Sequence, residues 1–384
     1  MTREHLKIGF ISVDSPEDKK TSSGTLYTIA SNFKSIGDLE WIQLSKSKLY
    51  NFLEIILKVI AKSLGRNVCF SHTKIGSRLL KKSLNHIDFT QYDLIVAYWC
   101  GSALGGINFK NTPVIYLSDA TFPAMINYYH PFSHLWKWNI NQGLQLERES
   151  LSNVSSIILS SDWSANSAIK DLDQDSKKIN VIEFGANMSE KDIDHFRQHN
   201  ITNEQELTFL FLGVEWDRKG GDIAVEAIKW LNDNGVKCSL HIVGIKNLTE
   251  SVKSLPYVEN IGFLNKNDPT QYQKLAEEIS KCCALILPTK AECSAIAFAE
   301  ASAYGLPTFT YETGGIPNYI QNNLNGIMLP ISANGMDFGI KIKECLDNHL
   351  FSQMSQFARE VYLQKLNWNV WTAKVKGIVN NLVN

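Results

Sequence analysis

Residues Ala291–Pro307, AECSAIAFAEASAYGLP, decide how this chain is read. The apolar run Ala284–Leu287 leads into them and predicts a buried strand that stops at Pro288. The loop Thr289–Ser294 carries Glu292, and small residues from about Ala295 to Tyr304 predict a helix that carries Glu300. Gly305 and Pro307 end that helix, the glycine at its C-terminal cap and the proline just beyond. The two carboxylates then stand at two levels, one on the loop and one a helical turn further in. Between them lie the backbone N–H groups of a helix N-terminus, which attract phosphate. Two carboxylates flanking an anion site suit a ligand that is phosphate in the middle and hydroxyl-rich at both ends, as a nucleotide sugar is.

Upstream, LTFLFLGVEWDRKGGDIAVEAIKWL repeats the strand–loop–helix pattern. A buried strand, Leu207–Leu212, runs into Gly213, and a helix is expected over Asp222–Leu231. Arg218 and Lys219 stand in the turn between them, and two cations beside helix N-termini suit a diphosphate. CSLHIVG, Cys238–Gly244, predicts a further strand in which His241 is a satisfied core histidine. VENIGFLN supplies a short strand and the loop Gly262–Lys266, and LNGIML another short strand. Two helices are expected from about Asn334 to Val383.

Glu292 and Glu300, seven residues apart in between, match the E-x7-E signature of retaining, nucleotide-sugar-dependent glycosyltransferases of the GT-B fold (family 4-like). The following TYETGGIPNYI resembles their TGG-x-P-E-x-I segment, with Asn318 in place of the usual Glu. The R-K-G-G form at Arg218 and Lys219 resembles their phosphate-gripping cations, although many members carry Arg where this chain has Val214. The resemblance covers Leu207–Pro330 closely and is topological before Asn187. It implies two doubly wound α/β domains facing across a cleft, with a C-terminal helix crossing back to the first. The boundaries expected are 1–187 for an acceptor-binding domain, 188–206 for a hinge, 207–360 for the nucleotide-sugar domain and 361–384 for the returning helix.

By the same resemblance, Arg218 and Lys219 hold the diphosphate and stabilise leaving-group charge, and Glu300 takes the ribose hydroxyls. Glu292 takes hydroxyls of the donor sugar, and the backbone of Cys293, Ser294, Ala295 and Ile296 completes the cradle. Gly213, Gly244, Phe263 and Leu264 join the donor set, with the base resting against the 262–266 loop. The loop after Glu292 departs from the family's G-F-G or P-F-G, so no sugar preference follows. No metal or other cofactor is implied beyond the nucleoside diphosphate sugar as co-substrate.

The chain opens with LKIGFISV, a buried strand over Leu6–Val13, then a polar loop and a helix over about Thr25–Ile36. Gly24 admits close backbone approach to a ligand or is an ordinary helix entry; the resemblance places Gly24 and Thr25 near donor phosphates or the acceptor. Two more strands are expected at Tyr92–Trp99 and Thr112–Asp119. Asp119, at the end of the second, either receives a sugar hydroxyl or acceptor proton in the catalytic set or is a turn or N-cap residue. Related enzymes often place a His there. Tyr128–Ser152 is aromatic and then helical, and Pro131 between His130 and His134 argues against a zinc site. SSIILSSDWSANSAI predicts a strand and a helix capped near Ser161 or Asp162.

Lys46–Lys82 holds nine Lys or Arg against the single acid Glu54, with Leu49, Phe52, Leu53, Ile56, Leu57, Ile60 and Leu64 at helical spacing. It reads as an amphipathic basic helix plus a second basic helical piece. Two readings stand: docking on an anionic membrane face, or a core-packing helix with a solvated Lys face. No aromatic stacking pattern interleaves the charges as nucleic-acid binding requires.

The 384 residues, 44% hydrophobic, suffice for two cores, and a net charge of −1 argues against a nucleic-acid partner. Seven scattered cysteines without a C-x-x-C pair predict reduced thiols in a cytosolic protein. The expectation is a soluble cytoplasmic chain, peripheral on the membrane if Lys46–Lys82 docks there. It would move a sugar from a UDP- or GDP-sugar to a hydroxyl of a glycan or lipid-linked acceptor, in cell-surface polysaccharide, lipopolysaccharide or glycoconjugate synthesis. The alternatives are a nucleotide-sugar epimerase or hydrolase of the same fold, and a non-catalytic membrane-associated scaffold.

Overall fold

The computed structural model describes residues 6–18, 24–196 and 207–383. Its contacts divide the chain into two units, Met1–Ile182 with Thr372–Asn384, and Glu183–Trp371.

The first unit carries strands β1 (Leu6–Ser12), β2 (Gly37–Gln43), β3 (Leu94–Tyr98), β4 (Val114–Ser118), β5 (Ser156–Leu159) and β6 (Ile179–Val181). They form one parallel sheet in the order β2-β1-β3-β4-β5-β6. Its helices are α1 (Thr25–Lys34), α2 (Lys48–Ser63), α3 (Lys74–Lys81), α4 (Phe122–Met125), α5 (Lys137–Ser152) and α6 (Asp162–Lys170). Every residue of β3 and β4 is buried, which is why LIVAY and VIYLS read as unbroken apolar runs. Ser161 caps α6 as expected, its hydroxyl accepting from the Ser164 N–H at 3.3 Å.

Strand β2 was not anticipated. In GDLEWIQ only Gly37 and Ile42 are buried, so this edge strand lacks the apolar run that marks the central ones. Gly37 is required: a Cβ there would stand 2.2 Å from the Leu6 carbonyl oxygen of β1.

Helix α5 buries Glu147, whose Oε2 accepts the Phe122 N–H at 2.6 Å, at the start of α4. Burial pushes this carboxyl from 4.5 up to about 8. The folded chain therefore holds the Glu147 proton more tightly than the unfolded chain does. That contribution to stability is complete below about pH 4.5 and is lost as pH rises through about 8. Across that window the native protein should lose on the order of 5 kcal/mol. Glu147→Gln, which keeps the acceptor, should show a flatter urea midpoint between pH 5 and pH 8; parallel curves would contradict the assignment.

The second unit begins with α7 (Glu190–Phe196) and β7 (Leu207–Leu212). It continues with α8 (Trp216–Lys219), α9 (Gly221–Asp233), β8 (Cys238–Val243), α10 (Glu250–Lys253), β9 (Val258–Gly262), α11 (Pro269–Ser280) and β10 (Ala284–Ile286). Then follow α12 (Ile296–Ala303), β11 (Thr308–Tyr311), β12 (Gly326–Leu329), α13 (Gly335–Asp347) and α14 (Phe351–Lys365), and last α15 (Trp368–Val383), which from Thr372 onward belongs to the first unit. The parallel sheet runs β12-β11-β10-β7-β8-β9, so the strand order reverses between β7 and β10. Ligands of such sheets gather outside the C-terminal strand ends at that reversal.

Part of the segment expected as a hinge, Met188–Glu206, is helix α7; residues 197–206 lie outside the described residues. Three helices, not two, fill the C-terminal segment. His349 (φ 55°) separates α13 from α14, and Asn367, whose side chain accepts the Val370 N–H at 2.9 Å, opens α15. His241 is satisfied as expected, with Nδ1 3.1 Å from Glu278 and Nε2 3.0 Å from Glu259.

Candidate active site

The loops that leave β7 and β10 meet at the reversal of the second sheet. After β7 the chain passes Gly213 and winds into the single turn of α8, which holds Arg218 and Lys219; a turn without helix had been expected there. Gly220 (φ 73°) then redirects it into α9, and a Cβ on Gly220 would stand 2.2 Å from the Pro288 carbonyl oxygen. Gly221 packs on the Trp216 ring, 2.3 Å from where its Cβ would lie. The two glycines of R-K-G-G thus let the β7 loop sit directly on the β10 loop. Backbone bonds fasten that seat: the Lys290 N–H donates to the Arg218 carbonyl at 2.8 Å.

Side chains complete the junction. The Lys219 stem lies over Gly213, and its Nζ donates to Glu292 Oε2 in an ion pair. Both side chains are close to nine-tenths buried, at 10% and 12% exposure. Arg218 Nη1 donates to the Ala291 carbonyl at 2.7 Å and lies 3.7 Å from Glu292 Oε2, while its Nε pairs with Glu215. Behind Glu292, its carbonyl accepts the Gly315 N–H at 3.0 Å, so the TGG segment holds the Glu292 backbone. Two fixed cations thus stand at the strand ends against two carboxylates, Glu292 and the more exposed Glu215, and their N–H donors suit a phosphate.

Helix α12 starts one residue later than read and ends at Gly305 (φ 75°) as expected. Ala295 at its N-cap provides no side-chain acceptor for the first turn. Cys293 and Ala295 are buried, and Ser294 and Ile296 half-buried. Glu300 lies on this helix at 2% exposure and pairs with Lys266 Nζ, from the loop after β9.

The glycines at the ends of β7, β8 and β9 bond in series. The Gly213 N–H donates to Val243 at 3.0 Å, and the Gly244 N–H to Gly262 at 2.8 Å. Gly244 has φ 105°, and a Cβ on it would meet the Gly213 carbonyl oxygen at 2.3 Å. Beyond them Phe263 is 44% exposed with Lys246 Nζ 4.7 Å over its ring, while Leu264 packs on the core.

The second unit therefore holds Gly213, Arg218, Lys219, Gly244, Phe263, Leu264, Glu292–Ile296 and Glu300. Gly24, Thr25 and Asp119 belong to the first unit. Gly24 (φ 87°) is the N-cap of α1, and Thr25 is buried. Asp119 follows β4, and its Oδ1 accepts from Trp99 Nε1 at 2.7 Å. Its carbonyl accepts from Ser164 Oγ at 2.5 Å, so it is tied into its own turn. Glu215 was not read as part of the site, and Lys266 only as the end of the 262–266 loop, without its pairing to Glu300. Asn318, where the resemblance expected Glu, is buried and donates to Glu183 Oε1 at 3.4 Å. Among the described residues no group of three or more His, Cys, Asp or Glu is arranged to hold a metal ion.

Residues 192–361 match the protein family described as Glycosyl transferases group 1. Over 182 residues the chain is 23% identical to an uncharacterized glycosyltransferase of Methanocaldococcus jannaschii, a span of 47% of this chain and 50% of that protein. The chain thus spans about half the length of the curated relatives it matches. Among solved structures it resembles Anabaena Alr3699/HepE in complex with UDP and glucose, with TM-score 0.63, 15% identity, and 98% and 100% of the two chains covered. It also resembles WaaG, a glycosyltransferase involved in lipopolysaccharide biosynthesis, with TM-score 0.63, 16% identity, and 97% and 99% covered. The fold is GT-B.

Proposed function

We propose that this chain is a retaining glycosyltransferase that moves a sugar from a UDP- or GDP-sugar to a hydroxyl of a glycan or lipid-linked acceptor. The observation that carries this reading is the buried Lys219–Glu292 pair, with Arg218 beside it, at the strand reversal within the residues that match Glycosyl transferases group 1. Anabaena HepE, of the same fold, is described in complex with UDP and glucose, which favours UDP as the first donor to test.

In this reading the diphosphate lies on Arg218 and Lys219, and the ribose hydroxyls bind Glu300. Sugar hydroxyls bind Glu292 and the backbone of Cys293–Ile296. The bond from the anomeric carbon to the diphosphate oxygen breaks, its electron pair leaving with the phosphate. A bond to the acceptor oxygen forms on the same face, and the acceptor proton passes to the leaving phosphate. Fixed cations then carry the developing charge, an electrostatic task that requires no metal. Asp119, just after β4, and Gly24 and Thr25, at the start of α1, enter through the resemblance. The acceptor class, in cell-surface polysaccharide or lipopolysaccharide synthesis, is favoured by the likeness to WaaG.

The test is turnover of UDP- and GDP-sugars with an acceptor panel, reading the product anomer by NMR. The expected product keeps the donor's anomeric configuration, and excess EDTA leaves the rate within about twofold. An inverted product, or full loss of turnover on EDTA treatment, would contradict the mechanism. Donor consumed equally fast without acceptor would identify an epimerase or hydrolase instead.

A further inference from the structure

Helix α2 presents an apolar face that none of the described residues covers. It packs inward through Tyr50 and Ala61, both buried, with Leu53 and Leu57 half-buried against the core of the first unit. On the other side Phe52, Ile55 and Val59 recur three and four residues apart at 61%, 62% and 63% exposure. Leu49, Ile60 and Leu64 extend this face along the helix, and Ile75 on α3 adds to it at 60% exposure. Of the apolar residues read at helical spacing, Leu53 and Leu57 pack inward as the core-packing reading expects, but Leu49, Phe52, Ile56, Ile60 and Leu64 face solvent.

The surroundings of this face are basic. Lys48, Lys58 and Lys62 stand on α2, with Lys46 and Arg66 at its two ends, all exposed. Lys74, Arg78 and Lys82 add three exposed cations on and after α3. Glu54, the segment's one acid, pairs with Lys58 at 2.8 Å. An amphipathic helix with an apolar face and a cationic border has the chemistry of one that lies in the plane of an anionic bilayer. There the apolar side chains enter the acyl boundary while the Lys stems reach back to the headgroups. A second copy fits less well, because two-fold pairing would bring these cations against their own equivalents. No described helix is long and apolar enough to cross a membrane, so contact would be made from one side.

We infer that α2, bordered by the cations of α3, docks this protein on an anionic lipid surface by inserting Phe52, Ile55 and Val59. The inference stands apart from the donor reading, since docking needs no nucleotide. The test is co-sedimentation of the full chain with vesicles of phosphatidylcholine alone or mixed with phosphatidylglycerol, at low and high salt. Binding is expected to the mixed vesicles, weakened but not abolished by salt. Lys58→Gln with Lys62→Gln should weaken it about 30-fold, since each basic residue near an anionic surface contributes about fivefold. Phe52→Ser with Val59→Ser should weaken it at least about tenfold while melting temperature and nucleotide response stay those of the parent. Absence of binding to anionic vesicles would overturn the inference. So would equal binding by the serine variant, which marks surface adsorption alone. A concentration-dependent dimer abolished by the same serines, without vesicle binding, would assign the face to a second copy.

Discussion

Lys219→Ala should lower the rate of sugar transfer by about 10²- to 10³-fold, the loss seen when one fixed donor to a developing anion is removed. Its ammonium is held in place before any ligand arrives. The stem lies over Gly213, which leaves room for it, and Nζ is anchored on the loop-borne Glu292. A group so fixed pays no reorganisation when leaving-group charge develops. Removing it also leaves Glu292 with Arg218, 3.7 Å away, as its remaining cation, so the stability cost should fall below the about 3–5 kcal/mol of a fully broken buried pair. The two effects separate in the double variant Lys219→Ala with Glu292→Gln, which should regain stability without regaining transfer. If the double variant recovers the parent rate, Lys219 serves only to neutralise Glu292.

Glu300→Gln should weaken nucleotide binding by about 10- to 100-fold, because hydrogen bonds to a charged group are worth about 1.5–3 kcal/mol. Glu300 sits on α12 at 2% exposure, and its one carboxylate oxygen pairs with Lys266. A carboxylate this buried is held in one geometry, which suits the paired hydroxyls of a ribose. The substitution also strands Lys266, a quarter exposed, so Lys266→Met alone is the control for that disturbance. Calorimetric titration with UDP or GDP reads both. Loss in Lys266→Met equal to that in Glu300→Gln would show that the pair acts structurally and that Glu300 does not itself meet the ribose.

Both sites lie where the sequence was easiest to read, for a physical reason. β7 and β8 are mostly buried, so their sequences are mainly apolar, and each is followed by a glycine, at Gly244 because a Cβ there would strike the Gly213 carbonyl. The E-x7-E spacing places one acid on a loop and one on the helix behind it, and the structure keeps that arrangement. Four features were hidden. Strand β2 alternates charge with apolar side chains at a sheet edge, and β11 buries two threonines, Thr308 and Thr310, whose polarity masks it. The breaks among α13, α14 and α15 fall at His349 and Asn367, without glycine or proline to announce them. Lys266 meets Glu300 across 34 positions of sequence, a distance that only the fold closes. The exposure of α2 was hidden for a related reason: periodicity names an apolar face, but only packing says what covers it.

The most direct test of the central claim is a thermal-shift titration of the purified chain with UDP, GDP, ADP and CMP and their common sugars, without metal. At about 100 times its dissociation constant a ligand adds about 2.7 kcal/mol, well within reach of the method. The account predicts a clear shift with one nucleoside diphosphate class, lost in Glu300→Ala and in Arg218→Ala. No shift with any nucleotide, or a shift that both variants retain, would contradict a donor site at Arg218, Lys219, Glu292 and Glu300.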